Sequence, residues 1–80
     1  MSEEEKKKIS TLRMLPSRRW AVWRPGRDPV ELTSGEVFRV EGDDGVLHIT
    51  RMEYTPGRGY YAVDGPPLRA GLRVAIGSGE

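Results

Sequence analysis

Residues 45–63 read GVLHITRMEYTPGRGYYAV, two extended runs on either side of a Thr-Pro-Gly-Arg-Gly turn. Within each run apolar residues recur at every second position, the period of a strand with one buried face. The recurrence slips once. Leu47 and Ile49 are two apart, as are Met52 and Tyr54, but Ile49 and Met52 are three apart. One extra residue is therefore expected at Thr50 or Arg51, as a β-bulge or sharp bend that lets a single long strand serve two sheets. Without it, a one-residue register error would turn Met52 and Tyr54 to water.

Working outward, the same grammar continues. RWAVWR (19–24) alternates, PGRDP (25–29) reverses the chain, VEL (30–32) returns, and TSG (33–35) turns again. EVFRVE (36–41) places Phe38 and Val40 on one face, and GDDG (42–45) forms a hairpin turn into the opening stretch. After GPP (65–67), GLRVAI (71–76) closes the chain with Leu72, Val74 and Ile76 inward and Arg73 exposed. Five or six short strands separated by Gly and Pro, with no helical period between them, indicate an all-β fold. Eighty residues allow one small domain, and a strongly bent antiparallel barrel is the arrangement that hides its edges.

The barrel is expected over residues 18–76, with a basic N-terminal arm over 1–17 and a flexible tail over 77–80. Ser2 with Glu5 makes a helix cap, and Glu3–Lys7 and Glu4–Lys8 have helix-supporting spacing. Pro16 ends any such helix, and isolated helices this short are marginal in water. The arm is thus either disordered or briefly helical.

Leu32 and Gly35 before the Val37–Val40 strand, then Thr50, Arg51, Glu53 and Tyr54, then Tyr60, Tyr61 and Val63, and finally Gly71, Leu72, Val74 and Ile76 form an ordered set. This set resembles an uncharacterised family of small bacterial proteins, a domain of unknown function often met on mobile elements. The likeness spans residues 20–76; the chain differs in carrying Leu47 where such strands often have Trp, and in its basic front. The order of turns is also similar to SH3-like barrels, which implies a binding module and nothing finer.

The residues give little to catalysis. There is no cysteine, so no disulfide, thiol nucleophile or cysteine-built metal site exists. His48 is the single histidine and has no Ser-His-Asp arrangement around it; EGDDG (41–45) reads as a polar turn, not a calcium loop. TPGRG (55–59) lacks the order of a phosphate-binding loop. A non-enzymatic protein without cofactor or metal is expected. The charged start MSEEEKKK and the lack of a long apolar run point to a cytoplasmic chain with no membrane contact.

Charge supplies the functional lead. Residues 6–27 carry eight cationic side chains and no acid, whereas the whole chain nets only +1. Lys6, Lys7, Lys8, Arg13, Arg18, Arg19 and Arg58 are the expected contacts for nucleic acid or another acidic partner. If each turn reverses the chain, Arg18, Arg19 and Arg58 gather at one end. Trp20 and Val22 are assigned to the interior, leaving Trp23, with Tyr60, as exposed aromatic contacts. A rival reading makes those aromatics the anchors of a protein–protein module, an accessory protein of a mobile element or an inhibitor of a host protein. The chain is expected to be a monomer, or a homodimer paired through a free strand edge.

Overall fold

The computed structural model describes residues 10–77, and its turns cut the chain into seven strands. These are β1 (Thr11–Met14), β2 (Trp20–Trp23), β3 (Val30–Glu31), β4 (Val37–Glu41), β5 (Leu47–Thr55), β6 (Gly59–Ala62) and β7 (Val74–Ile76). Among the described residues there is no helix, and hence none long and apolar enough to cross a membrane. Two of the reversals are type II turns in which Pro sets the first central residue and Gly takes positive φ at the second. They are Arg24–Arg27 with Gly26 at +75° and Thr55–Arg58 with Gly57 at +90°.

All the ladders are antiparallel. One sheet has the order β1-β2-β3 and the other β6-β5-β4-β7. They meet where β1 runs beside the approach to β7: Thr11 bridges Arg73, and the Leu12 amide donates to the Leu72 carbonyl at 2.8 Å. A second stitch joins the β3–β4 turn to β5, with the Gly35 amide on the Met52 carbonyl at 2.6 Å and the Met52 amide on the Glu36 carbonyl at 2.9 Å. Between the sheets lie Leu12, Val22, Leu32, Phe38, Val40, Met52, Ala62, Leu72 and Val74, with Trp20, Tyr60 and Leu68 packed against them. Ile76, expected inside, is instead 39% exposed at the end of β7.

The slip in residues 45–63 is not an inserted residue in β5 but the place where this strand changes partner, from β4 up to Arg51 to β6 from Met52. Along β4 the register runs from Val37 opposite Arg51 to Glu41 opposite Leu47, and along β6 from Met52 opposite Ala62 to Thr55 opposite Gly59, with no residue left over. Directly opposed residues share a face. Thr50 therefore lies beside Phe38 in the core, only 8% exposed, while Ile49 lies beside Arg39 outside and is 63% exposed. The inward series is Thr50, Met52, Tyr54, at an unbroken period of two. A threonine can hold the core position because its hydroxyl donates to the Val63 carbonyl at 2.6 Å, which removes the cost of burying an unpaired polar group. Apolar identity pointed to Leu47 and Ile49; hydrogen bonding decided for Thr50.

The arm boundary also moves. Residues 11–14 of the expected arm are β1, and Leu12 is fully buried against Val22. Pro16 lies not at a helix end but inside the Leu15–Arg18 turn, which the Arg18 amide closes on the Leu15 carbonyl at 2.9 Å. The cross-strand pairing that this turn permits, Met14 with Trp20, extends the sheet through a stretch expected to be helix or coil. The remainder of the expected arm, with Lys6, Lys7 and Lys8, lies outside the described residues, as do residues 78–80 of the tail.

The two readings of β5 separate in stability measurements. Thr50→Val, leaving the Val63 carbonyl without its donor, is expected to lower the urea-unfolding free energy by about 1–3 kcal/mol. Ile49→Thr is expected to change it by less than about 0.5 kcal/mol, as for a surface site. A large loss at Ile49 would place that side chain in the core.

Candidate anion-binding groove

Two hairpin turns project at the same end of the molecule. In the β1–β2 turn the Leu15 amide donates to the Arg19 carbonyl at 2.8 Å, and Arg18 at the tip adopts φ +69°. That left-handed position is one that glycine or asparagine ordinarily fills in a short hairpin loop, because a Cβ there crowds the backbone. In the β5–β6 turn, Pro56 and Gly57 present Arg58, whose guanidinium lies 4.0 Å from the Tyr61 ring centroid. This cation–π contact favours one placement of a side chain that would otherwise sample many rotamers.

Between the turns is an open groove of about 610 Å3. Arg18, Arg19 and Arg58 line it together with Ser17 and Gly59. Its floor is formed by Trp20, Tyr60 and Leu68, which rest on the core, and its apolar sides by Met14 and Tyr54, 47% and 53% exposed. No acidic side chain among the described residues lines it. Tyr54 and Tyr60 are cross-strand partners, their ring centroids 5.0 Å apart and their planes inclined at 58°.

The three arginines differ electrostatically. Arg19 donates to Glu31 Oε1 on β3 at 2.8 Å, outside the groove lining. That hydrogen bond, followed by the field of the nearby Tyr60 phenol, holds the Arg19 guanidinium above its ordinary pKa. Its charge is thus shared with Glu31. Arg18 and Arg58 form no ion pair among the described residues and keep their full charge for a ligand.

Of the residues singled out from the sequence, Arg18, Arg19, Arg58 and Tyr60 converge on this groove. Arg13 and Trp23 do not: they alternate with Leu12 and Val22 to the outer side of the β1–β2–β3 sheet, where the Arg13 guanidinium sits 4.7 Å from the Trp23 ring centroid. Trp23 is 40% exposed, and Trp20 is the tryptophan against the core. Met14, Tyr54 and Leu68 carry no sequence signal for a site. Met14 falls in the expected arm, Tyr54 in the expected interior, and Leu68 in a loop without periodicity.

Elsewhere, His48 at the turn end of the β4–β5 ladder places Nε2 2.9 Å from Asp44 Oδ2. The Asp44 carboxyl is held below its ordinary pKa of 3.8, first by the Val46 amide and then by His48. The pair closes a turn. Among the described residues no three His, Cys, Asp or Glu side chains are grouped to hold a metal ion.

Compared with protein-family models, with curated proteins and with solved structures, the chain matches none.

Arg18→Gly relieves the left-handed strain and is expected to raise the unfolding free energy by up to about 1 kcal/mol, net of the extra freedom glycine brings to the unfolded chain. A destabilised Arg18→Gly would mean that the Arg18 side chain supports the turn. Asp44 has a folded pKa below its unfolded one, so its ionised form contributes stability above pH 3.8 that is lost as pH falls through the depressed value. Urea midpoints for wild type should therefore drop more between pH 6 and pH 3 than those of Asp44→Asn. Equal drops would remove Asp44 from the acid response.

Proposed function

We propose that this chain is a small, non-enzymatic binding module that holds nucleic acid in the groove between the β1–β2 and β5–β6 turns. The observation that carries the reading is the convergence of Arg18, Arg19 and Arg58 from two separate hairpins on a partly aromatic groove with no acid in its lining. Guanidinium groups match phosphate oxygens in charge and in fork geometry, and neutralising phosphates releases condensed counterions. Arg18 strengthens the reading: a bulky cation held where glycine would be easier is strain of the kind found at binding sites. Arg58 forms no ion pair among the described residues, so its guanidinium is free to turn from Tyr61 to a phosphate.

The two joined sheets and their order of turns support a small SH3-like barrel as the scaffold. The bridge from Thr11 to Arg73 supports it further, since it continues one sheet into the other. On such a scaffold the loops at one end carry the ligand while the ladders stay rigid.

Fluorescence anisotropy with labelled oligonucleotides tests the reading. Binding is expected at about 50 mM salt and should weaken steeply by about 200 mM. The Arg18→Gly, Arg58→Ala double variant should flatten the plot of log affinity against log salt by about one for each phosphate that is no longer neutralised. An absence of binding at low salt, or a slope untouched by both substitutions, would refute it. Arg18→Gly alone should show opposite signs in the two assays, a stabler fold and a weaker complex.

A further inference from the structure

We infer that the ligand of this groove is a single strand, with an unpaired base laid against the exposed Tyr54 ring and its flanking phosphates held by Arg18 and Arg58. The inference rests on the nucleic-acid reading above and deepens it.

A duplex offers a protein its phosphates and base edges; its base faces are already stacked and sealed. A site built for phosphates alone needs cations and hydrogen-bond donors. This groove has more. Met14, Trp20, Tyr54, Tyr60 and Leu68 make half of its lining apolar, and Tyr54 and Met14 are about half exposed beside three arginines. Exposed apolar surface concentrated in a concavity, with charge around it, suits a ligand that is itself part apolar face and part anion. An unpaired nucleotide is such a ligand.

The aromatic geometry fits. Tyr54 and Tyr60 are inclined at 58° in a tilted contact rather than a parallel stack, and Tyr54 remains 53% exposed. Tyr60 is tied to the core, which leaves Tyr54 the accessible partner and Tyr60 its backing. Arg58 leans on Tyr61, the neighbour whose side chain alternates to the other face of β6, so it does not occupy the Tyr54 ring. Arg18 stands on the opposite turn. A strand crossing between the turns meets Arg18 on one side and, on the other, Arg58, whose guanidinium swings from Tyr61 into the groove to reach a phosphate.

Trp20 on the floor provides the readout. In a Trp23→Phe background it is the only tryptophan, and Trp23 lies outside the groove. Three probes are titrated into that protein at low salt: a short oligothymidylate, a duplex of the same length and inorganic polyphosphate. The expected result is saturable quenching of Trp20 by the oligothymidylate, with at least tenfold tighter binding than the duplex and no quenching by polyphosphate. Tyr54→Ala should weaken the single strand by roughly tenfold to a hundredfold, the range for loss of one base–aromatic stack, and leave polyphosphate binding, read by titration calorimetry, unchanged. Tyr54→Phe should bind as wild type. Equal affinity for single strand and duplex, or indifference to Tyr54→Ala, would overturn the stacking while leaving the charge reading intact. Failure of all three probes to bind would overturn both.

Discussion

Strand β5 is the constraint on which the rest of the molecule depends. Its first five residues pair with β4 and its last four with β6, and it passes from one neighbour to the other without an inserted residue. That continuity fixes the parity of every side chain from Leu47 to Thr55. The hydrogen bond from the Thr50 hydroxyl to the Val63 carbonyl is what permits it, because it satisfies a polar group at a buried position where the sequence offers no apolar side chain. Thr50, Met52 and Tyr54 then face inward in step. Ile49 is left in water, an acceptable cost on a surface where single exposed apolar residues are common.

The groove inherits its geometry from that parity. Tyr54, the last of the inward series, emerges beyond the end of the core and meets Tyr60 across the hairpin. The same hairpin presents Arg58, and the β1–β2 turn presents Arg18 and Arg19 from the other sheet. Aromatic residues there extend the core outward, while the arginines belong to the turns. An apolar floor and a cationic edge are thus consequences of where two hairpins end.

The electrostatics give the arginines different duties. Glu31 shares the charge of Arg19 and ties the first residue beyond the turn to β3. Arg18, strained and unpaired, and Arg58, stacked and unpaired, are the two whose charge is left for a ligand. At the opposite end of β4 and β5, Asp44 and His48 close their turn within themselves. Arg18 and Arg58 thus place unpaired charge at this groove although the whole chain nets only +1.

Turn chemistry was legible in the sequence: Pro25-Gly26 and Pro56-Gly57 are local solutions to a local problem, and they mark the strands between them. So was the inward placement of Phe38, Val40, Leu72 and Val74, where apolar identity and period agree. The clustering of Arg18, Arg19 and Arg58 followed from counting reversals. Tertiary structure alone decided the rest. Leu12 became core because β1 found β2 and the Leu72 carbonyl, partners that no local pattern names. Thr50 displaced Ile49 from the interior because its acceptor lies thirteen residues away on Val63, and a hydroxyl counts as a core group only once that acceptor is in place.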